Sequence, residues 1–446
     1  MKKVILITLY FLSPVPLCVV LFIADPEKYS DIALLIGMIL GATAYAWLIA
    51  EFVLISRVKF LEKEFGQDRF YRIHAVMAFL CLVLVLAHKI IEESALGEIP
   101  AGRFGDAAFI LFCCVCVFAL VFISDSFLMR FEPFFRFRKF CEKLYIAKYE
   151  YQVALHNIAL PAIIVMYVHV TKTCSAQVSP YVNLAFFMYL AIGLCFYIYH
   201  KFIKLIFVIR NPYTVKEVIS FSDDIKTLVL VPDNGKIFNY LPGQFGFFRI
   251  KGEGIKREEH PFTIVSHPMD KTRISITIKA LGDYSSAIAN VKTGYKAYID
   301  APYGRFSYLL HPEEKGIVFI VGGIGITPAL SMLRYMHACD RNRPVILFWG
   351  VDYKRDLIMF DDAELLKKDM KNFHYIPVVF REDEWNGKKG IIDEEKIETI
   401  FKIGGLKIEE TGFYFCGPAP MLRRVLHALK ILKIKKSRIH LERFSI

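Results

Sequence analysis

Useful cysteine patterns are missing from this sequence. Among its ten cysteines one Cys-x-x-Cys spacing occurs, Cys113-Cys114-Val115-Cys116, and no Cys/His zinc spacing, which excludes a zinc ribbon. Cys113, Cys114 and Cys116 fall in an apolar run, where cysteine acts as a small hydrophobe. Charge is also scarce: Asp, Glu, Lys and Arg make up 22% of 446 residues, against 55% hydrophobic residues. A disordered chain, a collagen and a small disulfide scaffold are therefore excluded. There is no Asp-x-Asp-x-Asp-Gly calcium loop and no Pro-rich tail.

What is abundant is apolar sequence, and it is concentrated before residue 210. Six runs are long enough to cross a ~30 Å hydrocarbon core, which takes roughly 20 helical residues. They are Val4–Ala24, Ile32–Ile55, Tyr71–Ile91, Phe104–Ser124, Tyr151–Val170 and Val182–Ile206. The first follows Met-Lys-Lys as a signal peptide would. Its two prolines and the lack of a small-x-small cleavage site instead predict a retained helix.

The loops predict an orientation. With a cytoplasmic N-terminus, the inner segments hold Lys2, Lys3, Arg57, Lys59, Lys63, Arg69, Arg72, Arg130, Arg136, Arg138, Lys139, Lys143 and Lys148, whereas the outer ones hold Lys28, Lys89, Arg103 and Lys172. This is the positive-inside bias at every loop. The net charge of +12 therefore reflects juxtamembrane placement, and no nucleic-acid site is read from it. Everything after Arg210 is expected in the cytoplasm of a multi-pass cell-membrane protein.

Ionisable residues inside spans mark function. The third span carries His74 and His88, and the fifth carries His156 and His169. At 1.5 Å per residue, each pair is separated by roughly 20 Å along its helix. Two helices running in the same direction would thus present two histidine pairs, one near each membrane face. Facing imidazoles are the bis-axial ligands of b-type haem, and the missing Cys-x-x-Cys-His makes such haems non-covalent. Phase is less tidy than depth. Thirteen residues at ~100° each miss the starting face by ~140°, so the fifth helix is expected to overwind or kink, with Pro161 as the cause.

This histidine pattern resembles the ferric reductase-type transmembrane domain of NADPH oxidases and metalloreductases, with bacterial NADPH oxidases as the nearest likeness. The resemblance implies that His74 and His156 hold an inner haem and that His88 and His169 hold an outer one.

The cytoplasmic half starts with short β-rich runs, Lys226–Val231, Phe245–Ile250 and Ile274–Ile278, punctuated by Gly/Pro turns as in an all-β domain. Leu241-Pro-Gly-Gln244-Phe is followed by His260-Pro-Phe-Thr263 and then Leu281-Gly-Asp-Tyr-Ser285. Pro-Phe-Thr at a strand end offers an isoalloxazine ring an apolar wall and a hydroxyl near its N5 edge. Gly282 and Ser285 open a helix whose N–H groups suit a pyrophosphate. In this order the segments resemble the FAD domain of the ferredoxin reductase superfamily. The resemblance assigns FAD contacts to Gln244, His260, Pro261, Phe262, Thr263, Gly282 and Ser285.

Gly316–Val321 is a continuous apolar strand of the kind buried in a parallel sheet. It leads into Gly322-Gly323-Ile-Gly325-Ile-Thr327-Pro328 and a helix expected to begin near Ala329, the layout of a dinucleotide pyrophosphate loop. After the strand Val345–Trp349, Lys354 and Arg355 are placed to meet a 2′-phosphate, which favours NADPH; Asp352 and Asp356 keep NADH open. By resemblance, Cys416 and Gly417 of Cys-Gly-Pro lie at the nicotinamide, and Phe444 stacks on the flavin.

The expected architecture is a six-helix haem-binding bundle (1–209), a β-barrel FAD domain (210–312) and an α/β Rossmann-like NADPH domain (313–446). Nicotinamide gives two electrons together and haem iron takes one, so the flavin stands between them. The expected acceptor is oxygen, giving superoxide. Alternatives are a ferric or cupric reductase with the same cofactors, and a histidine-lined proton or ion pathway with a reductase sensor. Glu92 stands where some animal oxidases place a histidine. Glu92, Glu93 and Glu98 are candidates to attract metal cations, with solvated loop charge the plainer reading. Activity is expected without a partner subunit.

Overall fold

The computed structural model describes residues 2–97, 102–123, 132–143, 154–358, 360–382, 384–403 and 406–442. It divides into two compact units, Met1–Lys204 and Leu205–Ile446.

In the first unit, six helices are long and apolar enough to cross a membrane: Lys2–Ala24, Ile32–Ile55, Arg69–Leu96, Gly102–Phe122, Ala154–Thr171 and Pro180–Ile209. The second is the central post. It packs along the third, the sixth and the first, while the fourth packs on the fifth. Small residues permit the close approach: Ala42, Ala44 and Ala46 are buried on the post, and Gly193 of the sixth helix sits against Ile49. Tyr45 buries its ring and donates its hydroxyl to the Phe186 carbonyl at 3.0 Å. Leu9, Val76, Phe79, Ile110, Val117 and Phe207 lie exposed around the outside, an apolar surface suited to lipid. A separate helix, Glu132–Lys143, exposes Phe134, Phe135, Phe137 and Phe140 and carries Arg136, Arg138 and Lys139, a composition suited to a lipid–water interface.

The second unit opens with six antiparallel strands: β1 Tyr213–Ser220, β2 Ile225–Pro232, β3 Phe245–Lys251, β4 His260–Thr263, β5 Ile274–Lys279 and β6 Lys296–Tyr303, in the order β4-β3-β6-β1-β2-β5. An Ile264–Ile276 bridge joins the two edges, so the sheet curls into a barrel with no long unpaired edge. Val215, Leu228, Leu230, Phe248, Ile250 and Ile276 fill it.

Six parallel strands follow: β7 Gly316–Gly322, β8 Val345–Val351, β9 Phe373–Val379, β10 Lys388–Lys389, β11 Thr411–Cys416 and β12 Ile439–Glu442, in the order β10-β9-β8-β7-β11-β12. Every residue of β7 is buried, as its unbroken apolar run requires when helices cover both faces of a sheet. The chain leaves β7 toward β8 on one side and returns at β11 on the other. That reversal opens a crevice at the carboxyl ends of β7 and β11, where ligands of such sheets bind. Barrel and sheet share one apolar core containing Ile225, Val265, Phe306, Phe319 and Leu333. The helix Ile326–Cys339 is tied to the barrel through Ser331 Oγ to the Ser266 carbonyl (3.0 Å) and Arg334 to the Val265 carbonyl (3.1 Å).

Glu314 anchors the lead into β7. It is fully buried, accepts from the Tyr414 hydroxyl at 2.7 Å and pairs with His440 Nε2 at 2.7 Å. Arg438 stands 3.8 Å away. Burial and this carboxylate push the Tyr414 hydroxyl well above its ordinary range. Although His311 also lies in this cluster, both carboxylate oxygens are already spent on protein partners. Glu314→Ala would strand a buried hydroxyl and an imidazole. The expected cost is about 3–5 kcal/mol, the range for breaking a buried pair, read as a fall in the unfolding temperature of the full chain.

Candidate functional site

The four histidines of the third and fifth long apolar helices include one close pair. His74 and His156 face each other across the third and fifth helices, with ring centroids 5.9 Å apart and planes at 76°. A metal bonded by two imidazole nitrogens at about 2 Å each holds the rings about 6 Å apart, so this gap accommodates one ion. His74 Nδ1 lies 2.6 Å from Glu51 Oε2 on the second helix, which leaves Nε2 as the ligand nitrogen. His156 Nδ1 is buried with no hydrogen-bond partner among the described residues.

His88 uses the same post one level away: its Nδ1 is 2.8 Å from the Gly37 carbonyl. Gly37 and Glu51 are fourteen residues apart on one helix, or ~21 Å. The two histidines of the third helix are therefore held at two depths by one neighbour. A Cβ on Gly41 would fall 2.8 Å from His88 Nδ1, and one on Gly105 would fall 3.0 Å from the His169 ring. These glycines are cradles in which imidazoles lie against backbone. Four imidazoles on two helices, two of them held against glycine backbone, are a donor set that fits b-type haem.

The fifth helix departs from ideal winding between its two histidines. Its helix is interrupted at Asn157–Ile158 and resumes as Ala159–Thr171. Pro161 has no N–H to give the Asn157 carbonyl, which instead accepts from Leu160 at 3.0 Å, while Ile158 donates to Leu155 at 3.0 Å. Both are i to i+3 bonds. Winding at ~120° per residue in place of ~100° over this stretch recovers roughly half of the ~140° shortfall.

At the barrel, Thr263 ends β4 and is buried, paired in register with Phe245 of β3. His260, Pro261 and Phe262 are half-buried on the same strand. The His260 ring stacks on Tyr284, centroids 3.9 Å apart and 19° from parallel, and its Nε2 meets Glu258 at 3.1 Å. Burial pushes the Tyr284 hydroxyl up to about 12. The Gln244 amide is occupied by backbone at both ends: its oxygen accepts from Leu241 N–H at 2.7 Å and its nitrogen donates to the Gly304 carbonyl at 2.8 Å. It braces the turn from which the site is built. Ser285 Oγ accepts from the N–H groups of Leu281 and Gly282, each at 2.9 Å, and Gly282 opens to empty space.

At the sheet crevice the helix begins at Ile326, three residues before the position expected from sequence. Pro328 is compatible with that start because the first-turn N–H groups have no intrahelical partner. Gly322 and Gly325 are packing glycines. A Cβ on Gly325 would lie 2.3 Å from the Cys416 carbonyl oxygen, and one on Gly322 would lie 2.7 Å from Met421 Sδ. Gly323, at φ +54° and facing open space, is the exposed rung. Its carbonyl accepts from the Trp349 indole at 3.0 Å. Thr327 is buried and donates to the Ile324 carbonyl at 3.1 Å. Gly417 lies against Gly322 across the crevice. Cys416 is fully buried, and burial with Glu442 beside it raises its thiol far above the ordinary range, so it contributes shape and not a thiolate. Lys354 and Arg355 are exposed just past β8, Arg355 lying 4.9 Å over the Tyr353 ring. Phe444 lies outside the described residues.

Three contributors were not read from the sequence. Glu51 is the one charged residue of the second run, a signal that was available. Trp349 read simply as strand. Glu382, whose carboxylate accepts from Lys354 N–H at 2.6 Å, comes from a distant loop with no local signal. Of the outer acids, Glu92 is 3.9 Å from Lys28 and Glu93 is 3.3 Å from Lys89, and Glu98 lies outside the described residues.

Comparison with known proteins bears on the second unit. Residues 210–307 match an FAD-binding domain family, and residues 319–427 match the oxidoreductase NAD-binding domain family. The glycine betaine monooxygenase reductase subunit of Pseudomonas aeruginosa is 28% identical over 236 residues, covering 51% of this chain and 62% of that protein. The propane 2-monooxygenase reductase component of Mycolicibacterium goodii is 28% identical over 227 residues, covering 50% of this chain and 64% of that one. The chain thus spans less than two thirds of the length of these relatives. Among solved structures, the FAD/NAD-binding domain of nitric oxide dioxygenase from Vibrio cholerae superposes with a TM-score of 0.47 at 23% identity, covering 52% of this chain and 98% of that one. The C-terminal half is an oxidoreductase unit that uses NAD(P)H and FAD.

Proposed function

We propose that this chain is a transmembrane NADPH oxidase. It moves electrons from cytosolic NAD(P)H through FAD and two b-type haems to oxygen on the outer face, releasing superoxide. The observation that carries the reading is the His74–His156 pair, 5.9 Å apart within an apolar bundle, on a chain whose other half uses NAD(P)H and FAD. The basic inner loops set the orientation, and no partner subunit is required.

When bound, the nicotinamide supplies a hydride, the flavin accepts the pair of electrons and releases them singly, and the haem irons carry them one at a time. The residues provide places and surroundings. Gly323 and the N-terminus of the helix Ile326–Cys339 receive the coenzyme pyrophosphate, while Gly322 and Gly417 keep the crevice wall free of side chains. Thr263, Pro261 and Phe262 form the flavin wall, and Gly282 with Ser285 lies at its phosphate end. Cys416 excludes water beside the nicotinamide. His74 with His156, and His88 with His169, would hold the two haems.

Lys354 and Arg355 face the 2′-phosphate, opposed by the acceptor oxygens of Glu382, which suit a bare ribose. Charged hydrogen bonds contribute about 1.5–3 kcal/mol each. Replacing both Lys354 and Arg355 with alanine is therefore expected to raise the KM for NADPH about tenfold or more and leave that for NADH unchanged, measured by steady-state dye reduction.

The acceptor is tested with membranes containing the full chain and NADPH. The proposal expects dye reduction that superoxide dismutase abolishes and that outpaces anaerobic ferric-chelate reduction. Faster anaerobic ferric reduction would make the chain a metalloreductase. A purified protein with no reduced-haem band would instead favour a histidine-lined ion pathway.

A further inference from the structure

We propose that Arg249 binds the diphosphate of FAD, with the Tyr284 hydroxyl as its companion donor. The inference rests on the flavin site proposed above, whose phosphate end is the segment Gly282–Ser285. Arg249 lies on β3 between Phe248 and Ile250, both of which fill the barrel core. Successive residues of a strand point to opposite faces, so Arg249 points out of the barrel. The residue is half-buried, and its Nε is shielded from solvent with no hydrogen-bond partner among the described residues. A guanidinium is permanently charged and carries five donors, and a shielded, unmet donor is costly until a ligand completes it.

The surroundings say where that ligand lies. β4 begins only at His260, opposite Phe248, so the edge of β3 beyond Phe248 has no strand on that side. Tyr284 takes the vacant place: its hydroxyl accepts from the Ile250 N–H at 3.4 Å. The hydroxyl keeps its own proton at neutral pH, because burial raises it, and that proton is directed to a further acceptor. Arg249 and Glu258 both lie close enough for their charges to act on this hydroxyl. Glu258 does not serve the guanidinium: its Oε2 is 3.1 Å from His260 Nε2 and its Oε1 is 3.7 Å from Lys256. The same contact occupies one nitrogen of His260, whose ring stacks on Tyr284. Tyr284 belongs to the phosphate-end segment itself, so β3 delivers its cation to the place where the flavin nucleotide carries its charge. Paired phosphate oxygens match the planar fork of arginine, which grips two at once.

The test is a fluorescence titration of the purified, flavin-depleted full chain with FAD and with riboflavin, which has the same ring and no phosphate. Wild type, Arg249→Gln and Arg249→Lys are compared. The wild type should bind FAD more tightly than riboflavin. In Arg249→Gln the Kd for FAD should rise about tenfold or more, the loss of a charged hydrogen bond, while the Kd for riboflavin stays in place. Arg249→Lys, a point charge without the fork, should fall between the two for FAD. Unchanged FAD affinity in Arg249→Gln would overturn the proposal, as would equal weakening of FAD and riboflavin, which marks a packing role. If Arg249→Gln does not fold, Arg249→Lys decides: weaker FAD binding with riboflavin unmoved supports the proposal, and wild-type FAD affinity overturns it. A wild type that holds riboflavin as tightly as FAD would overturn the phosphate-end reading and this inference with it, a result seen before any variant is made.

Discussion

Replacing His74 with leucine is expected to remove one of two haems and to stop electron delivery across the membrane while sparing the flavin half. Leucine fills a similar volume but offers no nitrogen, and Glu51 loses the partner that lies 2.6 Å from it. The haem-to-protein ratio, read from the reduced band, should fall from two to one. Removing an outer-shell partner of a metal ligand typically costs 10–100-fold, so loss of the ligand itself should reduce transmembrane activity by more than about 100-fold. Direct reduction of a soluble dye by NAD(P)H should persist, because the second unit packs around its own cores. His88→Leu should remove the other haem. A His74→Leu protein that keeps its full pigment would refute the assignment.

The second large effect is expected at Gly325. A Cβ there meets the Cys416 carbonyl oxygen at 2.3 Å and its carbon at 2.8 Å, and both are backbone atoms of β11 that no rotamer change can move. Gly325→Val must push the loop away from the strand and so open the crevice. Overpacking costs typically 1–3 kcal/mol, and a backbone obstacle places this case at or beyond the top of that range. For a unit of this size, the unfolding temperature should drop by roughly 6–12 °C, followed by flavin fluorescence, and NADPH-driven turnover should fall at least tenfold. Gly323→Ala is the contrast. Its Cβ meets open space, and the penalty is the φ of +54°, roughly 1–2 kcal/mol. Equal losses from the two changes would contradict the geometry.

The six long apolar helices were legible because about twenty consecutive apolar residues favour a helix long enough to cross a membrane. Helix placement and the fully buried β7 followed from the same logic. The interruption before Ala159 was legible from Pro161 once the phase was counted. Other features depend on tertiary partners. β1, Tyr-Thr-Val-Lys-Glu-Val-Ile-Ser, is bulged between Val215 and Glu217, which breaks the alternation that marks a strand. The helix after β7 starts early because Gly325 packs on β11, ninety residues onward. Gln244 reads as a ligand group from its motif, yet its amide is consumed by Leu241 and Gly304. Glu51 was visible as a charge but had no meaning until His74 stood beside it.

The bond from the Trp349 indole to the Gly323 carbonyl has a kinetic corollary. The berth for the diphosphate is moored by the neighbouring strand before any coenzyme arrives, so docking freezes little chain motion. Spent and fresh coenzyme can then trade places without a loop refolding at each turnover.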